Sequence, residues 1–437
     1  MKRIRIGNGC GFWGDSVDAP INLVRDGHLD YLTLEYLAEL TMSILALQKQ
    51  RDPNAGFASD FIEVLSRLTP LLIQQPRLKI VTNAGGMNPM ACALQAKAVL
   101  DKAGIRRRIF LVSGDDIFSK LEEILKDPSE LKNLDTGHSL ETIRSKVVSA
   151  NTYLGAQPIA RALESGADIV ITGRVADASL TVGPAIAEFG WAMNDFDRLS
   201  AATVAGHLIE CGAQATGGIW THWQEAEPLD TIGYPIAEID ESGVFQISKP
   251  PHTGGAINLE TISEQLLYEV GDPAAYLTPD VVSDFTSVLL KQLSRDVVQV
   301  SDARGKPATP FYKVSIAFRD GFSSGGTLVI PGARAAKRAG EILLARLRHA
   351  GFSYQRSYVE VLPGPTENSE AYLRVSVHDP NKAAVERFTR EFAPLVTSGP
   401  QGVSGYTTGR AAVREVFAYW PALIRKELVE PKVEELQ

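Results

Sequence analysis

Asp168-Ile-Val-Ile-Thr172-Gly-Arg174-Val-Ala-Asp177-Ala-Ser179 decides the fold class. An unbroken apolar, β-branched run is what a strand buried on both faces looks like. The run switches abruptly to glycine, arginine and aspartate, and a helical pattern follows. Polar residues at the carboxyl end of such a strand sit where open α/β sheets bind ligands. Lys79-Ile-Val-Thr-Asn83-Ala-Gly-Gly-Met-Asn88-Pro89 repeats the arrangement.

Working outward, residues 3–7 and 108–113 read as further strands. Residues 30–36 read as another, or as the entry to a helix continuing through Gln50. Residues 89–103 read as a helix, and 139–165 as one or two helices ending at Gly166. Strands separated by helices imply right-handed crossovers. The expected class is α/β: a mainly parallel, doubly wound sheet with flanking helices. Residues 1–215 form that domain, with the candidate site at its strand ends. Residues 216–310, rich in Gly, Pro, Thr and Trp, read as an irregular, lid-bearing segment completing the core. Residues 311–437 read as a smaller α+β module of split-βαβ type, with separate strands at 313–318 and 327–330. The charged tail, 430–437, is expected to fray.

The 437 residues are 44% apolar and 22% charged, ordinary for a soluble globular protein, and carry a formal net charge of −8. That sign argues against a general nucleic-acid or membrane-surface binder. Cys10, Cys92 and Cys211 are widely spaced with no CxxC, so they read as reduced thiols. The start lacks a signal-peptide pattern and no apolar run is long enough to span a bilayer, so a cytoplasmic address is expected.

Arg174 offers a planar fork for a carboxylate or phosphate. Asp177 either orients it or serves as a base; the bland alternative is a pair that staples the loop. Gly85 and Gly86, with Gly173, either present backbone N–H groups to an anion or only satisfy the turn. Asn83 is placed to bond a carbonyl or enolate oxygen. Asn151 reads as a further donor or as a helix cap. His252, in Lys249-Pro-Pro-His252-Thr-Gly254-Gly255, has the look of a lid-borne acid–base group, with Gly254 and Gly255 as hinges or anion contacts. Asp115 and Asp116 either hold Mg²⁺ or cap a helix. Gly9-Cys-Gly11-Phe-Trp-Gly14, with Glu35 beyond it, matches a dinucleotide fingerprint in spacing only, because Phe12 and Trp13 crowd the phosphate position and Asp15 repels it.

IGNGCGFWGDS, LDYLTLEYLAELTMSIL, VTNAGGMNP and SANTYLGAQPIARALESGADIVITGRVADASLTVGP together resemble the AtuA, or acyclic terpene utilisation, family. The later KPPHTGGAIN, LTPDVV and PGARAAKRAGE agree, and TSGPQGVSGYTTGR looks like the C-terminal extension of longer members. The resemblance implies catabolism of branched acids as CoA thioesters, with CoA entering as part of the substrate; hydratase or lyase chemistry requires no redox cofactor, which fits the poor dinucleotide signature. The favoured reading is a hydratase, dehydratase or lyase acting on a carboxylate or acyl-CoA. Arg174 and the glycine turn would be the clamp, and Asp177 or His252 would move the proton. The alternatives are an acyl-CoA-binding scaffold subunit of a carboxylase-type complex and an NAD-dependent dehydrogenase. A homo-oligomer is expected, and a small protein partner is among the readings.

Overall fold

The computed structural model describes residues 2–404 and 409–437; residues 405–408 of the TSGPQGVSGYTTGR stretch lie outside them. The chain divides into two compact units. The first holds Met1–Arg144, Val148–Ala317 and Tyr419–Gln437; the second holds Ser145–Val147 and Phe318–Ala418.

In chain order the first unit begins β1 (Arg3–Asn8), α1 (Ala19–Gly27), β2 (Tyr31–Leu34), α2 (Glu39–Arg51), α3 (Asp60–Gln74), β3 (Lys79–Thr82), α4 (Pro89–Lys102) and β4 (Ile109–Ser113). It continues with α5 (Leu121–Ile124), β5 (Val147–Thr152), α6 (Gln157–Glu164), β6 (Ile169–Thr172), α7 (Ser179–Phe189) and α8 (Phe196–Glu210). Then come β7 (Ile236–Asp240), β8 (Phe245–Ser248), α9 (Leu259–Leu267), β9 (Tyr276–Leu277), β10 (Val281–Asp284), β11 (Leu289–Ser294), β12 (Val297–Ser301) and β13 (Arg304–Pro307). Residues 31–34 are therefore strand, and the helix that follows starts separately at Glu39.

The main sheet runs β11-β12-β8-β7-β1-β2-β3-β6-β4 and ends on β18 (Lys432–Glu435). Only its centre is parallel: β1–β2, β2–β3, β3–β6 and β6–β4. The sheet is thus mixed rather than mainly parallel. Two expectations failed together here. Residues 236–248 are a hairpin, not irregular chain, because Ile236, Ala237, Ile239, Phe245 and Ile247 are buried against the sheet. The tail does not fray: Lys432–Glu435 pairs antiparallel with β4, and Arg108 holds Glu435 at 2.8 Å. An edge strand needs only one face covered, so its charges stay in water.

Alternation along the central strands sorts their side chains onto two faces. Leu32, Leu34, Ile80, Ile109, Leu111, Ile169 and Ile171 pack with α1, α3 and α4 in one core. The intervening residues turn to the other face, and α7 packs on β1 and β2. Residues 147–152 are strand, not helix; the β-branched Val147-Val148 opens a fully buried run, and Tyr153 N–H continues it to Lys313 C=O at 2.9 Å.

The second unit is built on β14 (Phe311–Pro331), α10 (Ala333–His349), β15 (Arg356–Leu362), β16 (Glu370–Asp379), α11 (Lys382–Phe388), α12 (Leu395–Ser398) and β17 (Arg414–Arg425), with β14 and β17 shared between units. Its sheet order is β15-β16-β14-β17, and the element order is that of a split-βαβ module. The two strands expected at 313–318 and 327–330 are one. Gly325-Gly326 looks like a break but serves packing, since a Cβ on Gly326 would stand 2.5 Å from the Phe392 ring.

Candidate active site

Parallel strands release their chains at one edge of the sheet, and the segments leaving β1, β2, β3, β4 and β6 meet there. Glu35 N–H donates to Cys10 C=O at 3.0 Å, tying the chain beyond β2 to the chain beyond β1. The Glu35 side chain is buried, and its Oε1 accepts from Leu37 N–H at 2.9 Å and from the Asn83 amide. Asn83 Oδ1 accepts from Tyr36 N–H at 2.8 Å. Asn83 therefore spends both ends of its amide on fixing the turn that carries Glu35.

Arg174 enters from β6 and is 2% exposed. Its Nη1 donates to Leu37 C=O at 2.8 Å and to Asp177 Oδ1 at 2.7 Å, and lies 3.8 Å from Glu35 Oε1. The guanidinium carbon sits 4.1 Å from the Tyr153 ring centroid, an attractive cation–π contact. Tyr153 OH donates to Glu39 at 2.6 Å, and Lys313 Nζ lies 3.2 Å from the same oxygen. From β4, Asp115 accepts from Arg174 N–H and Asn151 Nδ2, both at 2.9 Å. Gly173 makes this approach feasible, because a Cβ there would collide with the Asp115 carboxylate.

One guanidinium thus serves two carboxyls in different surroundings. Burial raises the Glu35 pKa, and the Asp177 charge raises it further. Arg174, Asn83 and Leu37 N–H pull the other way and lose, so Glu35 is held well above the usual carboxylate range. Asp177, with 35% of its side chain exposed, is the member that solvent reaches. Glu39 shows the opposite balance: burial would raise it, but the Tyr153 hydroxyl, Lys313 and Arg174 bring it down to about 2. Burial pushes Asp115 up to about 6, against its hydrogen bonds from Arg174 N–H and Asn151.

Glu35 Oε2, Arg174 Nε and Asn151 Oδ1 are buried without hydrogen-bond partners. Each such atom costs about 1–3 kcal/mol. Several together at the ends of parallel strands make this the candidate site.

The sequence profile described as acyclic terpene utilisation family protein AtuA matches residues 4–435. The chain belongs to the AtuA family. The family description points to a catabolic role. No curated protein matches the chain significantly. No helix among the described residues of this AtuA family member is long and apolar enough to cross a membrane.

Of the residues singled out from sequence, Asn83, Asn151, Gly173, Arg174 and Asp177 converge here. Gly85 and Gly86 lie beside them but are buried, and a Cβ on Gly85 would stand 2.5 Å from Thr172 C=O. Gly85 lets the turn beyond β3 close on β6, and Gly86 takes a positive φ of 49° against Leu45. His252 lies elsewhere, exposed on a groove it shares with Asp18, His28, Asp230 and Tyr234. Gly254 N–H is taken by Thr231 C=O and Gly255 N–H by Ala226 C=O. Asp115 and Asp116 diverge: Asp116 caps Phe118 N–H at 3.0 Å. In the Gly9–Gly14 turn, Gly11 N–H goes to Asp15 at 2.8 Å, and a Cβ on Gly11 would meet the Cys211 backbone.

Glu35, Glu39, Tyr153 and Lys313 were not singled out from sequence as parts of this site. Glu35 had a signal, a carboxylate in the otherwise apolar Leu34-Glu35-Tyr-Leu37; the spacing from Gly9 had offered it a ribose-binding role instead. Lys313 had none, since it reaches the site from far along the chain.

Proposed function

We propose that the protein is a catabolic enzyme that adds or removes water on a branched carboxylic acid or its acyl-CoA thioester. The observation that supports this reading is the pair of carboxyls on one buried guanidinium, with Glu35 kept neutral and Asp177 reached by solvent. Environments that push two carboxyls apart divide acid from base.

In the dehydration direction Asp177 takes the proton from the carbon α to the thioester. Glu35, a neutral carboxyl with a free oxygen, donates a hydrogen bond to the carbonyl oxygen as negative charge develops there. Arg174 holds Asp177 in place through the 2.7 Å bond from Nη1 to Oδ1. Its charge is already matched by Asp177, so it serves by fixing that carboxyl and the Leu37 carbonyl rather than by gripping a substrate anion. Asn83 acts as a positioning residue for Glu35. Electrons from the α C–H bond form the double bond as the β C–O bond breaks.

The test follows the ultraviolet absorbance of the conjugated thioester of C3-branched 2-enoyl-CoAs mixed with the purified protein. Turnover that falls about 10²–10⁴-fold in both Asp177→Asn and Glu35→Gln supports the reading. A folded wild-type protein that changes none of these thioesters sinks it.

A further inference from the structure

Loss of a β-hydroxyl as water needs a second proton, and a second buried carboxyl, Glu210, lies close enough to Asp177 to feel its charge. Helix α8 crosses the start of α7 at Gly206, where a Cβ would lie 2.7 Å from Ala178 C=O. That close approach brings the last turn of α8 against the segment holding Asp177. Asn8 Nδ2 pins the same turn, donating to the carbonyls of Ile209 and Glu210 at 2.8 Å each and to Cys10 C=O at 3.0 Å. Cys10 C=O also receives Glu35 N–H. The backbones of Glu35 and Glu210 are thus fixed to one node.

His207 Nδ1 lies 3.2 Å from Glu210 Oε1, which leaves Glu210 Oε2 buried and unpartnered. His207 is itself 2% exposed, clamped between Tyr276 and Phe285 at 5.4 and 5.2 Å, and its Nε2 also lacks a partner. Burial raises Glu210, His207 lowers it, and the Asp177 charge raises it again; the bond to Glu210 raises His207. Such a pair titrates as one unit. The other polar groups around it are Arg174, Cys211, Gln265, Glu269 and Tyr276.

We propose that Glu210, positioned by His207, is the second proton donor of the site, and that the substrate is a β-hydroxyacyl thioester whose carbonyl oxygen meets Glu35 and whose hydroxyl meets Glu210. This rests on the dehydration reading above. As the β C–O bond breaks, the departing hydroxide takes the dyad's proton from Glu210 and leaves as water. Asp177 holds the α-proton until it exchanges with solvent. The same groups run in reverse for hydration.

The test compares 3-hydroxy-3-methylbutyryl-CoA with 3-methylbutyryl-CoA, which lacks the hydroxyl, on the full-length protein. Wild type should bind the hydroxy ligand at least about tenfold tighter, because without it Glu210 stays unpaired, and Glu210→Met should abolish that preference. Glu210→Gln should slow dehydration about 10²-fold or more and remove the alkaline limb of the pH–rate profile, with Glu210→Asp restoring part of both. If the Glu210 variants fail to fold, His207→Gln decides, since it should displace that limb. Wild-type turnover with an unchanged rate and limb in Glu210→Gln, or an unchanged limb in His207→Gln, overturns the dyad and leaves Asp177 and Glu35 standing. A wild type that neither binds nor dehydrates the hydroxy ligand overturns both.

Discussion

In the segment that follows β6, Arg174 Nε is buried with no partner, as are Glu35 Oε2 and Asn151 Oδ1 at neighbouring strand ends; in the Lys249–Gly255 loop no buried side-chain polar atom among the described residues lacks one. Lys249 Nζ donates to Thr253 C=O at 2.9 Å and lies 3.2 Å from Asp296, and Thr253 OH donates to Pro250 C=O at 2.7 Å. Both regions combine glycines with a basic side chain and a titratable group. The loop around His252 is closed on itself, as scaffold is. The segment around Arg174 is tied to four strand ends yet still leaves capacity unused. Unused capacity in a buried place, more than residue type, separates a site from a turn.

The largest expected effect breaks that capacity open. Arg174→Met leaves Asp177 without its counter-charge and Leu37 C=O without its donor, and should lower stability by about 3–5 kcal/mol in urea denaturation. A loss below about 1 kcal/mol would mean that the segment is no more demanding than the loop. Asp177→Asn should separate the roles, with activity falling about 10²–10⁴-fold and a smaller loss of stability than in Arg174→Met, because Glu35 remains beside the guanidinium to ionise in its place.

A pH series sharpens the comparison from another side. Folding raises Asp115 from 3.8 to about 6, so the native state holds a proton that the unfolded state has lost between those values. Its contribution is complete below pH 3.8 and disappears as pH rises to about 6, on the order of 3 kcal/mol. Asp115→Asn should flatten that fall. Glu39 runs the opposite way: held down to about 2, it stabilises above pH 4.5 and loses this as pH falls toward 2. Denaturation midpoints of Asp115→Asn and Glu39→Gln measured from pH 2 to 7 should therefore diverge from wild type at opposite ends. The smallest effect belongs to the closed loop: His252→Ala should shift stability by no more than about 0.5 kcal/mol and leave turnover intact.

The strands flanking the site were readable because burial on both faces demands continuous apolar runs, as in Ile169–Thr172. Strands that cover one face gave weaker signals, as at 245–248 and 432–435, and the buried strand 236–240 is interrupted by Glu238 and ends on Asp240. Residues 313–318 and 327–330 read as separate strands, yet they are one, since Gly326 serves close packing against Phe392 and not a turn. Arg174, Asp177 and Asn83 were legible from their place at strand ends. That Arg174 is consumed by two carboxyls was not, since Glu35 and Leu37 approach it only through the pairing of distant strands.

The node at Cys10 has a consequence for how the molecule comes to exist. Asn8 reaches across 202 residues to hold Glu210. Contacts closing such long loops arise late, whereas helices form early. A chain caught midway through folding could carry nearly all its helix and still present no cleft. Competence to bind would then emerge with the slowest kinetic phase, and a ligand added during refolding would report completion of the fold rather than its progress.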